Sequence, residues 1–175
     1  MAGPFGLEKG LKKTDLKLGN EVAPFLFEIV DVPKRHSAFP LVYARIAPEN
    51  GLFAIRALGS PISTNGAGLE VKGEFDRILE KLTKTYGNPE RIDQVLPGGI
   101  YTEFSDWMMS INTNERYYGS SWRKENGLEL PNSIELISLD IFAEDQWSGQ
   151  LRLDYTFDNS KDGNTEIDNL EDDAL

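Results

Sequence analysis

Val71, Phe75, Ile78, Leu79, Leu82 and Tyr86 recur at helical spacing, with Glu74, Arg77, Glu80, Lys81 and Lys84 filling the positions between them. This pattern predicts an amphipathic helix that buries one face. Gly87 is its natural stop, and the Asn88-Pro89 pair cannot extend it. A period of two appears near the end of the chain. Leu151, Leu153, Tyr155 and Phe157 alternate with Gln150, Arg152, Asp154 and Thr156, predicting a strand with one buried face. Ile134–Ala143 is apolar on nearly both faces and predicts a longer strand, and Tyr117–Arg123 predicts another. In the first half, Phe25 to Val30 reads as a mostly buried strand ended by Pro33. Leu41–Ala47 and Leu52–Leu58 follow as a pair. Pro48-Glu49-Asn50-Gly51 joins them as a turn, because Pro presets φ and Asn-Gly tolerates φ > 0.

Weaker signals complete the outline. A short helix is expected over Lys12–Leu18, ended by Gly19. Phe104, Trp107, Met108 and Ile111 suggest a second short helix, and Thr165–Ala174 a final acidic one carrying Ile167 and Leu170. Glu90–Gly99 reads as a connector. Residues 1–87 and 88–175 then share the order helix, three strands, helix, without sequence identity between them. The expected fold class is α+β: an antiparallel sheet with helices on one face. It is built either as two topologically similar αβββα halves in one compact unit, the second half acidic, or as a single domain with no internal symmetry.

Composition narrows the chemistry. The chain has no cysteine, which removes disulfide scaffolds, thiol nucleophiles, iron–sulfur clusters and zinc ribbons. One histidine, His36, removes most histidine-rich metal sites and leaves a Ser-His-Asp triad only that residue. No apolar run approaches the ~18 residues of a membrane span. The start Met1-Ala2-Gly3-Pro4-Phe5 carries no basic and apolar leader pattern. A cytoplasmic protein is the expectation, with a mature periplasmic form as the alternative. The chain carries a net charge of −11, unevenly placed. Residues 1–87 hold 12 basic and 10 acidic side chains, residues 88–175 hold 6 and 19. An acidic half repels phosphate backbones, so nucleic acid is not an expected partner, and without an apolar span neither is a membrane. It suits a cationic protein, or serves only to keep the molecule soluble.

Known motifs are absent or incomplete. No phosphate-binding loop occurs, Gly66-Ala67-Gly68 lacks a third glycine, and Gly119-Ser120-Ser121-Trp122 lacks the nucleophile elbow. Asp158, Ser160 and Asp162, followed by Gly163, match the opening of a calcium loop. Asn169 then stands where the bidentate Glu belongs, so the expectation is a polar hinge with no cofactor, with calcium at Asp158, Ser160 and Asp162 as the weaker alternative. Lys34, Arg35 and His36, between Pro33 and Pro40, form a cationic island that suits an anion, or is an ordinary connection of solvated charges. Phe39 is its candidate anchor. Glu103 and Asp106 are a conceivable acid/base pair, as are many others in a chain with 29 acids.

All three tryptophans lie in the second half. Trp107 and Trp122 are expected in the core. Trp147, in the turn Glu144-Asp145-Gln146-Trp147-Ser148-Gly149, either folds back onto the core or stays free for a partner.

Phe5-Gly6-Leu7-Glu8-Lys9-Gly10-Leu11, the stop Tyr86-Gly87-Asn88-Pro89, Asp106-Trp107-Met108-Met109 with Glu115-Arg116, and Tyr155-Thr156-Phe157-Asp158-Asn159 resemble a loose group of uncharacterised bacterial proteins. The resemblance spans most of the chain and rests on turns and core aromatics. It implies a bacterial or phage origin and a shared fold, and no activity. The Tyr-Gly-Asn-Pro stop also looks like small α+β inhibitor-type and lipoprotein folds, a likeness of fold that does not fix function.

Three functions remain open. The first is a non-enzymatic protein-binding module, such as an immunity or inhibitor protein whose acidic surface covers a basic partner. Trp147, Glu144, Asp145, Glu171, Asp172 and Asp173 would carry it. The second is an anionic-ligand binding protein or enzyme using Lys34, Arg35 and His36. The third is a structural subunit of an assembly.

Overall fold

Alternation builds the strands and helical periodicity the helices, and a computed structural model shows both for residues 2–175. The strands are β1 (Leu18–Ala23), β2 (Leu26–Ile29), β3 (Leu41–Ala47), β4 (Gly51–Leu58), β5 (Ile62–Ser63), β6 (Glu90–Val95), β7 (Arg116–Arg123), β8 (Ile134–Ala143) and β9 (Ser148–Phe157). The helices are α1 (Leu69–Tyr86), α2 (Trp107–Asn112) and α3 (Ser160–Asp172). All nine strands join one antiparallel sheet in the order β1-β2-β3-β4-β9-β8-β7-β6, with β5 pairing β9 off that path. The fold class is α+β.

Two compact units divide the chain, and they are interleaved rather than sequential. The first comprises residues 1–57, 129–137 and 154–175, and the second residues 58–128 and 138–153. Position 87, where the charge pattern divides the sequence, therefore falls inside the second unit.

In the first unit, Phe27 on β2, Val42, Ala44 and Ile46 on β3, and Tyr155 and Phe157 on β9 are buried at every second position. Helix α3 packs Ile167 against Ala47 and Phe53. It approaches so closely because Gly163 has no side chain: a Cβ there would lie 2.5 Å from the Phe53 ring. The tip of the β3–β4 hairpin forms at Pro48–Asn50, as the turn residues require.

In the second unit, α1 buries Val71, Phe75, Ile78, Leu79 and Leu82, the face its periodicity marks. Gly87 closes the helix with φ +90°, its N–H bonding back to Thr83 O at 2.9 Å. Its own carbonyl accepts Trp122 Nε1–H at 2.7 Å, so the Tyr-Gly-Asn-Pro stop is tied to a core indole. Trp107 and Trp122 are both buried, as expected. On β8, buried Asp140 accepts two hydrogen bonds from Arg152, at 3.0 and 2.7 Å.

Several expectations need correction. Lys12–Leu18 is no helix: it holds one 3-10 turn, Lys13–Asp15, and β1 begins at Leu18. The end of this stretch enters the sheet instead, Leu18 pairing with Ile29 of β2. Five strands therefore precede α1, and the αβββα order fails in the first half. Glu90–Gly99 is no mere connector, because Glu90–Val95 pairs with β7 from Glu90↔Ser121 to Val95↔Arg116. Its polar sequence suits an edge strand, where charge discourages further pairing. Helix α3 starts at Ser160, earlier than its apolar residues signal. Residues 160–169 of the calcium-like stretch are therefore helical rather than looped. Asp158 accepts a 2.7 Å bond from Lys9 Nζ, and no cluster of three or more metal-ligating side chains occurs among the described residues. Among them too, no helix is long and apolar enough to cross a membrane.

Candidate functional site

The second unit leaves large apolar side chains in solvent around one loop, residues 64–68. The β8–β9 hairpin tip abuts this loop, because Thr64 N–H donates to Trp147 O at 2.9 Å. Asn65 Oδ1 accepts the N–H of Leu69, the first residue of α1, at 3.1 Å. Gly66 O accepts Met108 N–H at 2.8 Å, which ties in the turn that opens α2. Gly68 sits at φ +70°, and a Cβ there would meet the Trp107 ring at 2.5 Å. Both the conformation and the space demand glycine.

Trp147 is 58% exposed, Phe104 69% and Leu69 53%. Lys72, one turn after Leu69, lies 4.0 Å from the Trp107 ring centroid and 5.7 Å from that of Phe104. Burial pushes its ammonium below the usual lysine value, and the Arg116 charge adds to the effect. Glu70 is held below the usual carboxylate range by the Thr64 hydroxyl, 2.6 Å away, and next by Asn65 N–H. It remains an anion that staples the loop to α1.

The tip backbone is fixed as firmly as its indole is exposed. Asp145 Oδ1 accepts Trp147 N–H at 2.7 Å, and Glu144 N–H donates to Ser148 O at 3.0 Å. Asn112 Nδ2 bonds the carbonyls of Ala143 and Glu144, at 3.2 and 3.0 Å. Glu144 and Asp145 are exposed beside the ring. Glu103 and Asp106 bracket Phe104 on its 3-10 turn, so the apolar groups are edged with negative charge.

Of the six residues expected to carry partner binding, Trp147, Glu144 and Asp145 come together on this tip. Glu171, Asp172 and Asp173 are exposed at the end of α3, in the first unit. The Lys34-Arg35-His36 segment is exposed throughout. Arg35 approaches Asp31 at 3.8 Å, and His36 Nδ1 accepts Ala38 N–H at 3.1 Å. Phe39, 4% exposed, anchors the segment.

Phe104 and Leu69 escaped the sequence reading. Phe104 stands four and seven residues before Met108 and Ile111, which imitates one helical face. The α-helix begins only at Trp107, and the preceding 3-10 turn rotates Phe104 outward. Its acidic neighbours Glu103 and Asp106 were the available signal.

No protein-family model matches the chain, and neither a curated protein nor a solved structure matches it.

Proposed function

We propose that this protein is a protein-binding module whose partner is cationic. The observation that carries the reading is Trp147: a large ring in solvent, on a tip whose backbone is already held by hydrogen bonds to Asp145, Asn112 and Thr64. A ring so placed enters a partner's pocket with little further ordering, which is where binding free energy is otherwise lost. Tryptophan is enriched among the few residues that dominate interfaces. Phe104 and Leu69 extend the apolar area, while Glu144, Asp145, Glu103 and Asp106 favour positive charge around it and raise the association rate. An immunity or inhibitor protein that covers a basic surface fits this chemistry.

The test is capture from the native host with the immobilised chain and with Trp147→Ala in parallel. The expected partner is basic, is lost from the variant, and elutes as salt rises. Equal capture by both chains, or affinity indifferent to salt, overturns the reading.

A further inference from the structure

The first unit carries a cleft of about 410 Å3, inside the ~300–1,000 Å3 range of small-molecule sites. Four neighbouring strands build its floor. Leu26 on β2 pairs directly with Arg45 on β3. Ala54 and Arg56 alternate along β4, and Asp154 and Thr156 along β9, so each pair shares one face of its strand. Glu171, near the end of α3, also lines the space.

The two arginines differ in what they hold. Arg56 is neutralised by Asp154 through a two-bond fork, Nε to Oδ1 at 2.8 Å and Nη2 to Oδ2 at 3.0 Å. Arg45 has no carboxylate partner among the described residues. Its guanidinium carbon lies 5.6 Å from the Phe53 ring centroid, and its Nε is buried without a hydrogen bond. A guanidinium is always charged, and its planar fork matches a carboxylate. A buried N–H without a partner is costly, and the guanidinium's charge meets no carboxylate among the described residues where Arg45 lines the cleft.

We infer that this cleft binds a small carboxylate with an apolar body, the carboxylate held by Arg45 and the body resting on Leu26 and Ala54. The site is separate from the Trp147 tip. Neither the cationic Lys34–His36 segment nor the tip takes part in it. Glu171 opposes the ligand's charge and weakens binding.

The test follows amide shifts of the full chain by NMR while 3-phenylpropionate is added. Its neutral amide and inorganic phosphate are titrated as controls. The acid is expected to shift the amides of Ala23, Phe25, Leu26 and of residues 54–56 and 154–156, with the neutral amide and phosphate at least about tenfold weaker, the scale of a lost charged hydrogen bond. Arg45→Gln, checked for an unchanged fold by its own spectrum, is expected to lose about tenfold or more, Arg45→Lys less, and Glu171→Gln to gain a few-fold. Equal affinity for acid and amide overturns the inference. So do phosphate binding as tight as the acid, Arg45→Gln binding like the parent, shifts centred on residues 34–36, or no binding of the acid at millimolar concentration.

Discussion

Two hairpin tips of this molecule are made of similar residues and finished in opposite ways. The β3–β4 tip, Pro48–Asn50, is braced by side chains from other segments, although Pro48 and Glu49 stay exposed. The Glu166 carboxylate accepts the N–H groups of Glu49 and Asn50, at 2.6 and 2.9 Å, and the Asn50 amide at 2.7 Å. Lys12 Nζ donates to the carbonyls of Pro48 and Glu49 from another segment, and Asn159 bonds Asn50 O and Leu52 O. These hydrogen bonds are all internal to the chain. The β8–β9 tip is also held through its backbone, yet it presents an indole to water. Bracing a tip through a carboxylate is a way to fix architecture. Fixing a tip while leaving its largest apolar group outside is the feature on which the proposed binding surface rests.

The largest expected effect breaks the open tip. Trp147→Ala should weaken partner binding by at least about 2 kcal/mol, the scale of a dominant interface residue. Its folding stability, measured by urea denaturation, should stay within about 0.5 kcal/mol of the parent, because the ring is exposed. A matching loss of stability would show instead that the indole braces the fold.

Next comes the braced tip. Gly163→Ala pushes a methyl into the Phe53 ring and lifts the helix that carries Glu166. Overpacking of this kind costs about 1–3 kcal/mol. Urea denaturation should show that loss, with partner binding at the other tip unchanged.

Glu166→Gln tests the carboxylate itself. Burial works against its charged form, but the N–H groups of Glu49 and Asn50 and the Asn50 amide outweigh it and hold its pKa below the usual range. A folded pKa beneath the unfolded value adds stability that is complete above the unfolded carboxylate range and lost as pH falls through the lowered folded value. The gap between parent and Glu166→Gln should thus be about 1–2 kcal/mol near neutral pH and close below the ordinary glutamate value of ~4.3. A gap that persists in strong acid would mean that shape, and not charge, holds the tip.

The Pro48–Asn50 tip was more legible in the sequence than the Trp147 tip, for a physical reason. Pro48-Glu49-Asn50-Gly51 is a local turn code, and it sits between strands whose alternation is plain. Glu166, its long-range cap, lies more than a hundred residues away, and nothing local marks it. The helices α1 and α3 and most strands were readable because each buries a periodic stripe. Strands β1 and β6 were not, because edge strands are exposed at nearly every position and carry no alternation. Trp147 was legible as an anomaly, an apolar ring in a polar turn, but its direction depends on Thr64 and Asn112, which only the fold brings near. Arg45 reads as an interruption in the apolar run Leu41–Ala47. Its place on the face opposite Val42, Ala44 and Ile46 becomes clear once the neighbouring strands are known.

The smallest effect separates charge from geometry at the open tip, and Asp145 permits it because it does two things. Its Oδ1 accepts Trp147 N–H, and its charge faces solvent beside the indole. Asp145→Asn keeps an acceptor and removes the charge. Association with the cationic partner should slow a few-fold at low salt and match the parent at high salt, where the screening length falls to ~3 Å near 1 M. Dissociation should be unaltered, since rim charges act mainly on the rate of encounter. Asp145→Ala removes the acceptor as well. It should add faster dissociation, worth about 0.5–1.5 kcal/mol for a lost hydrogen bond, because the ring is then presented less firmly. Stopped-flow association and dissociation rates for the two variants distinguish the roles. Should both behave alike, Asp145 acts through charge alone, and the tip's fixed geometry rests on Asn112 and Thr64.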